Sequence, residues 1–470
     1  MVRKLTLRKA ILSGSLLALA ACSAGPDYAP PALAAPAPAF ATATPAVSAE
    51  LAADRWWTLY GDPVLDRLVA DALAHNTDLR EAVANVAAAR AGLRETGADR
   101  LPQTAISAGA NYGRLPAPQR APGADREDWN VQGGFSVAYE VDLFGRVSRS
   151  IEAARGDLGE AEGLADTVRV AVIAETVRAY FDLTSAAERI AVQNRIVDLV
   201  GRTATLTGKR FEAGRTDRLD VARVSTLREQ QRAAISPLQA ERDRAGYRLA
   251  TLTGRQPQAL PAEVAGRATT PRLTQPLPIG DGAALIARRP DVRAAERRLA
   301  ADTARVGVAT ADLYPRITLG GSVSSTSSGF GNLFGAGPLG WLLGGLVSWE
   351  VPNQSAARAR IEAAQAGRDG SLAAFDGAVL QALEETETAL NAYAHELDRR
   401  TALAAAQEQA AVAVRIVRAQ LREGRADSLA VLDAERSFAE TEAALAAADA
   451  RIAGAQVDLF RALGGGWQRS

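Results

Sequence analysis

Apolar residues recur with two different periods along this chain, and the two periods follow one another in a fixed order. Residues 77–99 repeat leucine and valine at three- to seven-residue steps, which predicts a helix. Residues 105–112 and 131–141 alternate apolar with polar or glycine positions, which predicts two β-strands. No helix breaker occurs over 145–210, so one very long helix is expected there, and another helix is expected over 217–252. The predicted order is helix, two strands, long helix, turn and helix.

The same order returns in the second half of the chain. The stretch FEAGRTDRLDV (211–221) corresponds to LREGRADSLAV (421–431) at an offset of 210, and three further blocks align at offsets of 210–213. The second copy predicts strands at 317–325 and 339–351 and a long helix at 354–420. We interpret this as an internal duplication, because a unit of about 200 residues is far too long for a solenoid repeat.

The predicted helix lengths match within each copy. The long helix of the first copy spans about 97 Å at the helical rise, and its two shorter helices placed end to end span about 89 Å. The second copy repeats this match. Helices of this length with matched partners suit a long cylinder and have no use in a globular domain.

The predicted strands have two different faces. Large apolar residues and glycine share one face, whereas serine, glycine and glutamate occupy the other. An apolar band of about 9–11 residues suits a transmembrane β-strand. Tyrosine and tryptophan near the strand ends suit the membrane interface; these residues are Tyr112, Trp129, Trp341 and Trp349. The strands of a soluble sandwich are the alternative, because they also alternate.

Four strands cannot close a membrane barrel by themselves. An open strand edge in lipid leaves backbone groups unpaired at a cost of several kcal/mol each, and small barrels start at about eight strands. The pattern therefore predicts oligomerisation, and by itself it permits two, three or four copies.

The N-terminus predicts export and lipid attachment. A basic start, MVRKLTLRK, precedes an apolar stretch that is too short to span a bilayer and that leads to the only cysteine, Cys22. This arrangement resembles the lipobox of bacterial lipoproteins, in which Ser23 implies sorting to the outer membrane; an ordinary signal peptide with an incidental cysteine is the alternative. The expected modification is an N-acyl and diacylglycerol lipid on Cys22. Residues 22–55 are rich in proline and alanine and nearly uncharged, which predicts an extended tether.

Composition excludes several other classes of function. Basic and acidic residues balance at 54 each, so no charge excess indicates a nucleic-acid partner. Two histidines and one cysteine nearly exclude a His/Cys metal site. Counting leaves an all-carboxylate active site open, but no motif marks one. No nucleophile elbow, P-loop or dinucleotide motif occurs in the sequence. We therefore predict that the protein is not an enzyme and binds no metal or cofactor apart from the lipid.

Several motifs resemble those of the TolC-type outer-membrane efflux proteins, in their lipoprotein (NodT-like) branch. Residues 277–319, from LPIGDG to RITL, are similar to the second-repeat signature of that family. GPDY (25–28), residues 56–82, YEVDLFGR (139–146) and LGGGW (463–467) are also similar, so the resemblance covers essentially the whole mature chain. The chain departs from the family at PNQSAARAR, which replaces a Phe-Gly-Gly-Arg-like run after the fourth strand.

The resemblance implies a mainly α fold with a membrane β-barrel portion. In that family three chains share one 12-stranded β-barrel, four strands per chain, and an α-helical barrel in the periplasm. The implied function is the outer-membrane channel of a tripartite efflux pump, anchored by lipid in the outer membrane with a long periplasmic portion. The implied partners are a periplasmic adaptor and an inner-membrane transporter of the resistance-nodulation-division type. A conduit for type I protein secretion is one alternative, and a periplasmic coiled-coil scaffold is an alternative of a different class.

The duplicated glycine-centred stretch predicts two helical turns. Gly214 and Gly424 suit the left-handed position that ends a helix, and Asp217 and Asp427 suit the N-cap of the next helix. The apolar residues after each turn are predicted to pack between helices rather than to contact an adaptor; these are Leu219, Val221, Leu429 and Val431.

The resemblance places these turns at the periplasmic mouth of the channel, where aspartates of family members form the constriction. It implies a gate charge at Asp427 and, second, at Asp217. Arg215 and Arg425 are expected to join neighbouring turns by ion pairs. Helix capping alone is the alternative explanation for both aspartates.

The predicted domains combine these boundaries. They are a lipoprotein signal peptide (1–21), a lipid-anchored tether (22–55), structural repeat 1 (56–259), an inter-repeat linker (260–281) and structural repeat 2 with the C-terminal segment (282–470).

Overall fold

The structure is a computed structural model of the chain. It describes residues 24–31, 40, 45–50, 53–114, 116–119, 122–123, 125–273, 275–280, 282–335, 339–351 and 354–465. The signal peptide and Cys22 lie outside these residues. The elements in chain order are β1 (Val47–Ser48), α1 (Pro63–His75), α2 (Thr77–Ala98), β2 (Gln103–Arg114), β3 (Glu127–Val141), α3 (Arg146–Glu212), α4 (Arg218–Ala233), α5 (Ile235–Leu252), α6 (Ala262–Ala265), β4 (Leu277–Pro278), α7 (Gly282–Arg288), α8 (Pro290–Ala311), β5 (Arg316–Ser328), β6 (Leu339–Ser348), α9 (Gln354–Arg422) and α10 (Ser428–Ala462).

The chain divides into two compact units. The strand unit draws on residues within 1–32, 86–161 and 294–375, and the helical unit draws on the remaining residues. Strands β2, β3, β5 and β6 belong to the strand unit, whereas both predicted helical turns belong to the helical unit. Each sequence copy thus contributes to both units. The boundaries of the repeats and the linker describe the sequence duplication and stay predictions.

Both very long helices are present. Helix α3 has 67 residues and α9 has 69, so each runs without interruption over the segment in which the sequence has no breaker. Among the helices of the described ranges, none combines the length and the apolar character that crossing a membrane requires.

The four longer strands form one antiparallel sheet in the order β2-β3-β5-β6. The register places Phe135 opposite Ile106 on one side and opposite Val323 on the other, and Val323 opposite Trp341. Directly opposed residues of antiparallel strands share a face, so these four side chains form one row across the sheet. The four predicted strands are therefore confirmed, although the fourth ends at Ser348 and not at residue 351. The apolar face of the second strand of each copy is confirmed over the paired residues.

The core of the helical unit gathers around a segment that carries no predicted element. Trp56 lies in a short 3-10 helix, Trp56–Tyr60, and stacks on Phe460 of α10 with ring centroids 4.6 Å apart. Tyr60 packs edge-on against Phe181 of α3 and donates a hydrogen bond to Gln456 (3.0 Å). Burying each large side chain of this kind contributes roughly 1.5–3 kcal/mol. This core fixes α1, α3 and α10 against one another.

In each copy a side-chain hydrogen bond joins the start of a short helix to the C-terminal end of the last helix. Asn76 donates to the carbonyl of Leu252 (3.2 Å), and Arg289 donates to the carbonyl of Ala462 (2.9 Å). Both carbonyls lie in the last turn of a helix, where no intrahelical partner is available. The Asn76 side chain also accepts from the N–H of Leu79 (3.0 Å) and so caps the start of α2.

The helix predicted over 217–252 is wrong in one respect. The segment forms two helices, α4 and α5, which are separated at Ala234. Pro237 is the cause, because proline has no N–H for the carbonyl of Ala233 and its ring clashes with that carbonyl. Helix α10 has no proline and runs unbroken for 35 residues.

The predicted tether also needs a correction. Described residues of 22–55 pack against folded parts of the chain, although the segment is nearly uncharged. In the strand unit, residues 24–28 make side-chain and backbone hydrogen bonds. In the helical unit, β1 pairs in parallel with β4. Asp27, Tyr28 and the backbone itself supply polar partners that a count of charges does not reveal.

Candidate functional site

Two helical turns of the helical unit carry the predicted gate residues. At the first turn Gly214 has φ +69°, and its N–H donates to the carbonyl of Phe211 (2.9 Å). The next N–H, of Arg215, donates to the carbonyl of Arg210 (2.7 Å). These two bonds form a Schellman motif, which requires a left-handed residue and so explains the glycine. Gly424, with φ +73°, closes the second turn by the equivalent pair of bonds.

Both aspartates cap the helix that follows. The carboxylate of Asp217 accepts from the N–H of Asp220 (2.9 Å), and that of Asp427 accepts from the N–H of Ala430 (2.8 Å). A cap of this kind contributes about 1 kcal/mol. The predicted capping role is therefore confirmed. The role of these charges at a gate stays a prediction.

The two turn arginines are exposed. Arg425 lies 3.4 Å from Glu423 of the same chain, and both side chains are more than half exposed. A pair like this contributes about 0–1 kcal/mol. The predicted ion pairs of Arg215 and Arg425 between neighbouring turns involve other copies of the chain and stay predictions.

A buried charged cluster joins α3 of the first copy to α9 and α10 of the second copy. It lies within the helices, beyond the two turns. Glu435 of α10 is fully buried, and its Oε1 accepts from Arg418 of α9 (2.6 and 2.9 Å) and from the hydroxyl of Thr203 of α3 (2.5 Å). Its Oε2 is buried without a hydrogen-bond partner among the described residues. We call Thr203, Arg418 and Glu435 the hairpin cluster. It joins the first sequence copy to the second, as the nearby ion pair of Arg195 with Glu442 does (3.3 Å).

The hairpin cluster has a sequence signal that the periodicity analysis did not use. Val431, Glu435 and Ala439 are spaced four residues apart, and all three are buried. A glutamate in the middle of an apolar helical seam is expected to have a buried partner, because an unpaired buried charge is costly. The partner itself is distant in sequence and is identified only by the structure.

The leucines after the two turns differ from the prediction. Leu219 and Leu429 are 53 % and 50 % exposed, whereas Val431 is buried. The expected packing role is thus correct for Val431 and wrong for the two leucines. Each leucine lies two residues beyond its cap, in the first turn of the helix.

The sheet of the strand unit has an uncovered apolar face. Most of its large side chains are between 36 % and 85 % exposed, whereas Val131 on the same face is buried. The exposed ones are Ile106, Tyr112, Trp129, Phe135, Tyr139, Leu319, Val323, Leu339, Trp341, Leu343 and Val347. A soluble sandwich buries one face of each sheet against the other, so the sandwich alternative is wrong. Exposure on this scale indicates contact with an apolar environment.

Aromatic residues mark the two limits of this apolar face. Tyr112, Trp129 and Phe330 form one cluster, with ring centroids 5.5 and 6.0 Å apart. Tyr139 lies ten residues further along β3, which is about 34 Å at 3.4 Å per residue. At the strand tilt of membrane barrels this corresponds to about 25 Å of height, the usual size of the apolar band. Trp341 is not at a limit, because it lies in the row of Phe135 and Val323.

The opposite face of the same sheet is polar. It carries serine, threonine, asparagine and glutamine along the middle of the strands; examples are Ser107, Asn111, Gln132, Ser136, Ser322, Ser324 and Thr326. Leu342 and Leu346 are large apolar exceptions, both on β6. One face therefore suits lipid and the other suits water, as the wall of an aqueous channel requires.

The junction from strand to helix follows the YEVDLFGR motif in the first copy. Glu140 accepts two hydrogen bonds from Arg146, both at 2.7 Å. Asp142 accepts from the N–H groups of Val147 (2.9 Å) and Ser148 (2.8 Å) and so caps α3. In the second copy the corresponding residues 352–353 of PNQSAARAR lie outside the described residues, and α9 begins at Gln354.

Comparison with known proteins agrees with this geometry. The model of the outer membrane efflux protein family matches residues 68–255 and 283–465, and each segment falls within one predicted repeat. Outer membrane protein OprJ of Pseudomonas aeruginosa is 33 % identical over 454 residues, which cover 96 % of this chain and 94 % of OprJ. Nodulation protein T of Rhizobium leguminosarum bv. trifolii is 30 % identical over 456 residues, which cover 96 % of each chain.

A solved structure shows the same fold. The outer-membrane channel OprN matches with a TM-score of 0.88 at 36 % identity, over 95 % of this chain and 100 % of OprN. The predicted mainly α fold with a membrane β-barrel portion is thereby confirmed, together with the resemblance to TolC-type proteins and to nodulation protein T. The chain belongs to the outer membrane efflux protein family and is the outer-membrane channel component of an efflux system.

Proposed function

We propose that the working channel is a homotrimer in which three chains share one 12-stranded β-barrel. The supporting observation is the open sheet of the strand unit, whose outer strands β2 and β6 each have one unpaired edge within the described residues. Unpaired backbone groups in lipid cost several kcal/mol each, so both edges need partners. Pairing β6 of one chain with β2 of the next closes the sheet and places every polar face inside.

The trimer takes small molecules from an inner-membrane transporter of the resistance-nodulation-division type through a periplasmic adaptor. The lipid on Cys22 anchors each chain in the outer membrane, and the turns at Gly214 and Gly424 form the periplasmic mouth. The charges of Asp427 and Asp217, with Arg425 and Arg215, hold this mouth closed. The protein acts as a conduit and carries out no chemical reaction on its cargo.

Chemical crosslinking and planar-bilayer recording test the trimer together. The purified full-length protein is expected to give discrete conductance steps and a crosslinked ladder that stops at three chains. A ladder that stops at two or four chains contradicts the trimer. A preparation that is trimeric but never conducts contradicts the channel.

The adaptor is expected to contact the exposed leucines beside the caps. Leu219 and Leu429 occupy equivalent positions of the two copies and present about half of their surface to solvent. Replacing both by serine is expected to abolish crosslinking to the adaptor in cell envelopes while the single-channel conductance stays unchanged. The matched control is Leu206→Ser, an exposed leucine on α3 before the first turn. Equal loss of crosslinking in the control variant contradicts this contact.

Affinity purification of crosslinked envelopes tests the pump class. A transporter of the resistance-nodulation-division type is expected to copurify with the chain. Copurification of an ATP-driven protein exporter instead shows a type I secretion conduit.

A further inference from the structure

The residues that follow Cys22 occupy a built site in the strand unit. The N–H of Ala24 donates to the carbonyl of Phe144 (3.0 Å). The carboxylate of Asp27 accepts from Nη2 of Arg149 at 2.5 Å, and the hydroxyl of Tyr28 donates to Glu296 at 2.6 Å.

Arg149 is the centre of this site. Its side chain is only 7 % exposed, and its Nε donates to the carbonyl of Ala24 (3.3 Å). Its Nη1 donates to Glu152 of the same helix (2.7 Å), which fixes the guanidinium in place. The guanidinium of Arg149 binds residues 24–28 through one carboxylate and one carbonyl. Because it is buried and its N–H groups need these partners, it recognises this segment specifically.

A pair of glycines allows the backbone of the segment to pack directly against α8. Gly25 has φ +85°, and a Cβ on it would lie 2.4 Å from the Cα of Gly307 in α8. A Cβ on Gly307 would lie 2.9 Å from the Arg149 side chain and 3.0 Å from the carbonyl of Ala24. Real Cβ atoms essentially never approach backbone as closely as 2.4 Å, so a side chain at Gly25 displaces the segment. A side chain at Gly307 forces Arg149 or Ala24 to shift.

The site lies where the strands give way to helices. Phe144 comes three residues after the end of β3, and its ring stacks on Tyr314, which precedes β5, with centroids 4.6 Å apart. Cys22 precedes Ala24 by two residues, so the chain cannot carry it more than about 7 Å away. The segment that follows Cys22 is thereby held beside the ends of the strands.

We propose that residues Ala24–Tyr28 are a docking segment that holds the acylated N-terminus at the strand–helix junction, so that the lipid and the sheet enter the same leaflet of the bilayer. This proposal rests on the proposed lipid attachment at Cys22. A lipid attached beside the strand–helix junction brings the apolar face of the sheet to the membrane before the protein has assembled. The sheet then lies at the membrane depth at which its strands pair with those of other copies. The docking segment therefore promotes insertion of the sheet in addition to retaining the protein at the membrane.

Two glycine variants separate docking from backbone strain. Gly25→Ala and Gly123→Ala introduce the same left-handed strain, since Gly123 has φ +84°, but nothing lies within 4 Å of a Cβ at Gly123. Chymotrypsin cuts after Tyr28 when the segment is undocked. With purified full-length protein in detergent, Gly25→Ala is expected to raise this cleavage rate about tenfold or more relative to Gly123→Ala, because local opening exposes the bond. Equal rates for the two variants overturn the docking segment.

The same experiment reports on the lipid and on insertion. The mass of the released 22–28 peptide shows whether Cys22 is acylated, so failure of the lipid proposal is distinguished from failure of docking. Acylated Gly25→Ala protein is expected to bind liposomes as the wild type does but to develop conductance more slowly, whereas Gly123→Ala protein matches the wild type. Equal insertion rates for Gly25→Ala and wild-type protein overturn the role in insertion.

Discussion

Asp217 and Asp427 each use one carboxylate oxygen to cap a helix, which leaves the charge itself at an exposed turn. Capping and gating are therefore compatible at the residue scale. In the proposed trimer six such turns would surround the proposed periplasmic mouth. Charges at 4 Å interact by only about 1 kcal/mol in water, and a narrow mouth strengthens this interaction because its effective dielectric constant is lower.

The double variant Asp427→Ala with Arg425→Ala is expected to raise the single-channel conductance, because it removes both charges that the proposed gate assigns to the second turn. Planar-bilayer recording measures this directly. The control is Asp433→Ala with Arg436→Ala, an exposed ion pair one to two turns further along α10. Unchanged conductance in the first variant rejects the gate.

The hairpin cluster makes a separate prediction about stability. Glu435→Ala is expected to lower the free energy of unfolding by about 2 kcal/mol, less than the 3–5 kcal/mol of a fully buried pair, because Arg418 keeps some exposure to water. Glu435→Leu combined with Arg418→Leu is expected to recover most of this loss, since apolar residues can replace a buried ion pair. Denaturant unfolding measures both variants, and Glu440→Ala on the exposed side of α10 is the control. A double variant as unstable as the single one contradicts this account.

At the scale of elements, three helices of the strand unit meet at Asp302 of α8. It accepts from Arg298 (3.0 Å) and Arg305 (2.6 Å) of its own helix and from the hydroxyl of Ser371 in α9. Arg305 also reaches Asp157 of α3 with two bonds of 2.6 and 2.7 Å. Burial alone raises the pKa of Asp302, but the hydrogen bonds from Ser371 and the two arginines outweigh it, and the pKa lies below its ordinary value of 3.8.

The lowered pKa of Asp302 predicts the sign of a pH effect. A carboxyl whose pKa is depressed on folding stabilises the folded state above its unfolded value, here 3.8, and this stabilisation is lost as the pH falls below it. The thermal unfolding temperature is therefore expected to fall more between pH 5 and about pH 3 in the wild type than in Asp302→Asn, which cannot titrate. Identical pH profiles of the two proteins contradict the contribution of Asp302.

At the scale of the whole molecule, one sheet separates lipid from water by the alternation of its side chains. Val323 and Ser322 are adjacent in β5 but lie on opposite faces. Val323 shares its row with Phe135 and Trp341, between the two aromatic limits, whereas Ser322 opposes Ser136 and Leu342.

Arginine at these two neighbouring positions is expected to have opposite consequences. Val323→Arg places a charge near the middle of the apolar band, where it costs about 2–4 kcal/mol of membrane stability. Ser322→Arg places the same charge in the aqueous lumen and is expected to leave insertion intact. The inserted fraction in liposomes measures the difference. Equal insertion of both variants contradicts the assignment of the two faces.

The periodic features of this protein follow from its amino-acid sequence alone. The two copies, the long helices, the strand faces and the glycine turns each follow from residues that are close in the chain, because helix and strand periods and left-handed glycines are local properties. The candidate turn residues Gly214, Asp217, Gly424 and Asp427 were predictable for the same reason.

The contacts between distant residues, in contrast, depend on the folded chain. Three important pairs join residues that are more than 100 positions apart, and no local period encodes them. They are Trp56 with Phe460, Glu435 with Thr203, and Arg149 with Asp27. Residues 24–28 lack any apolar period, so their folded state follows from partners on other elements. Burial and hydrogen bonding depend on the neighbours that folding brings together, and this is the physical reason why the core, the hairpin cluster and the docking segment required the structure.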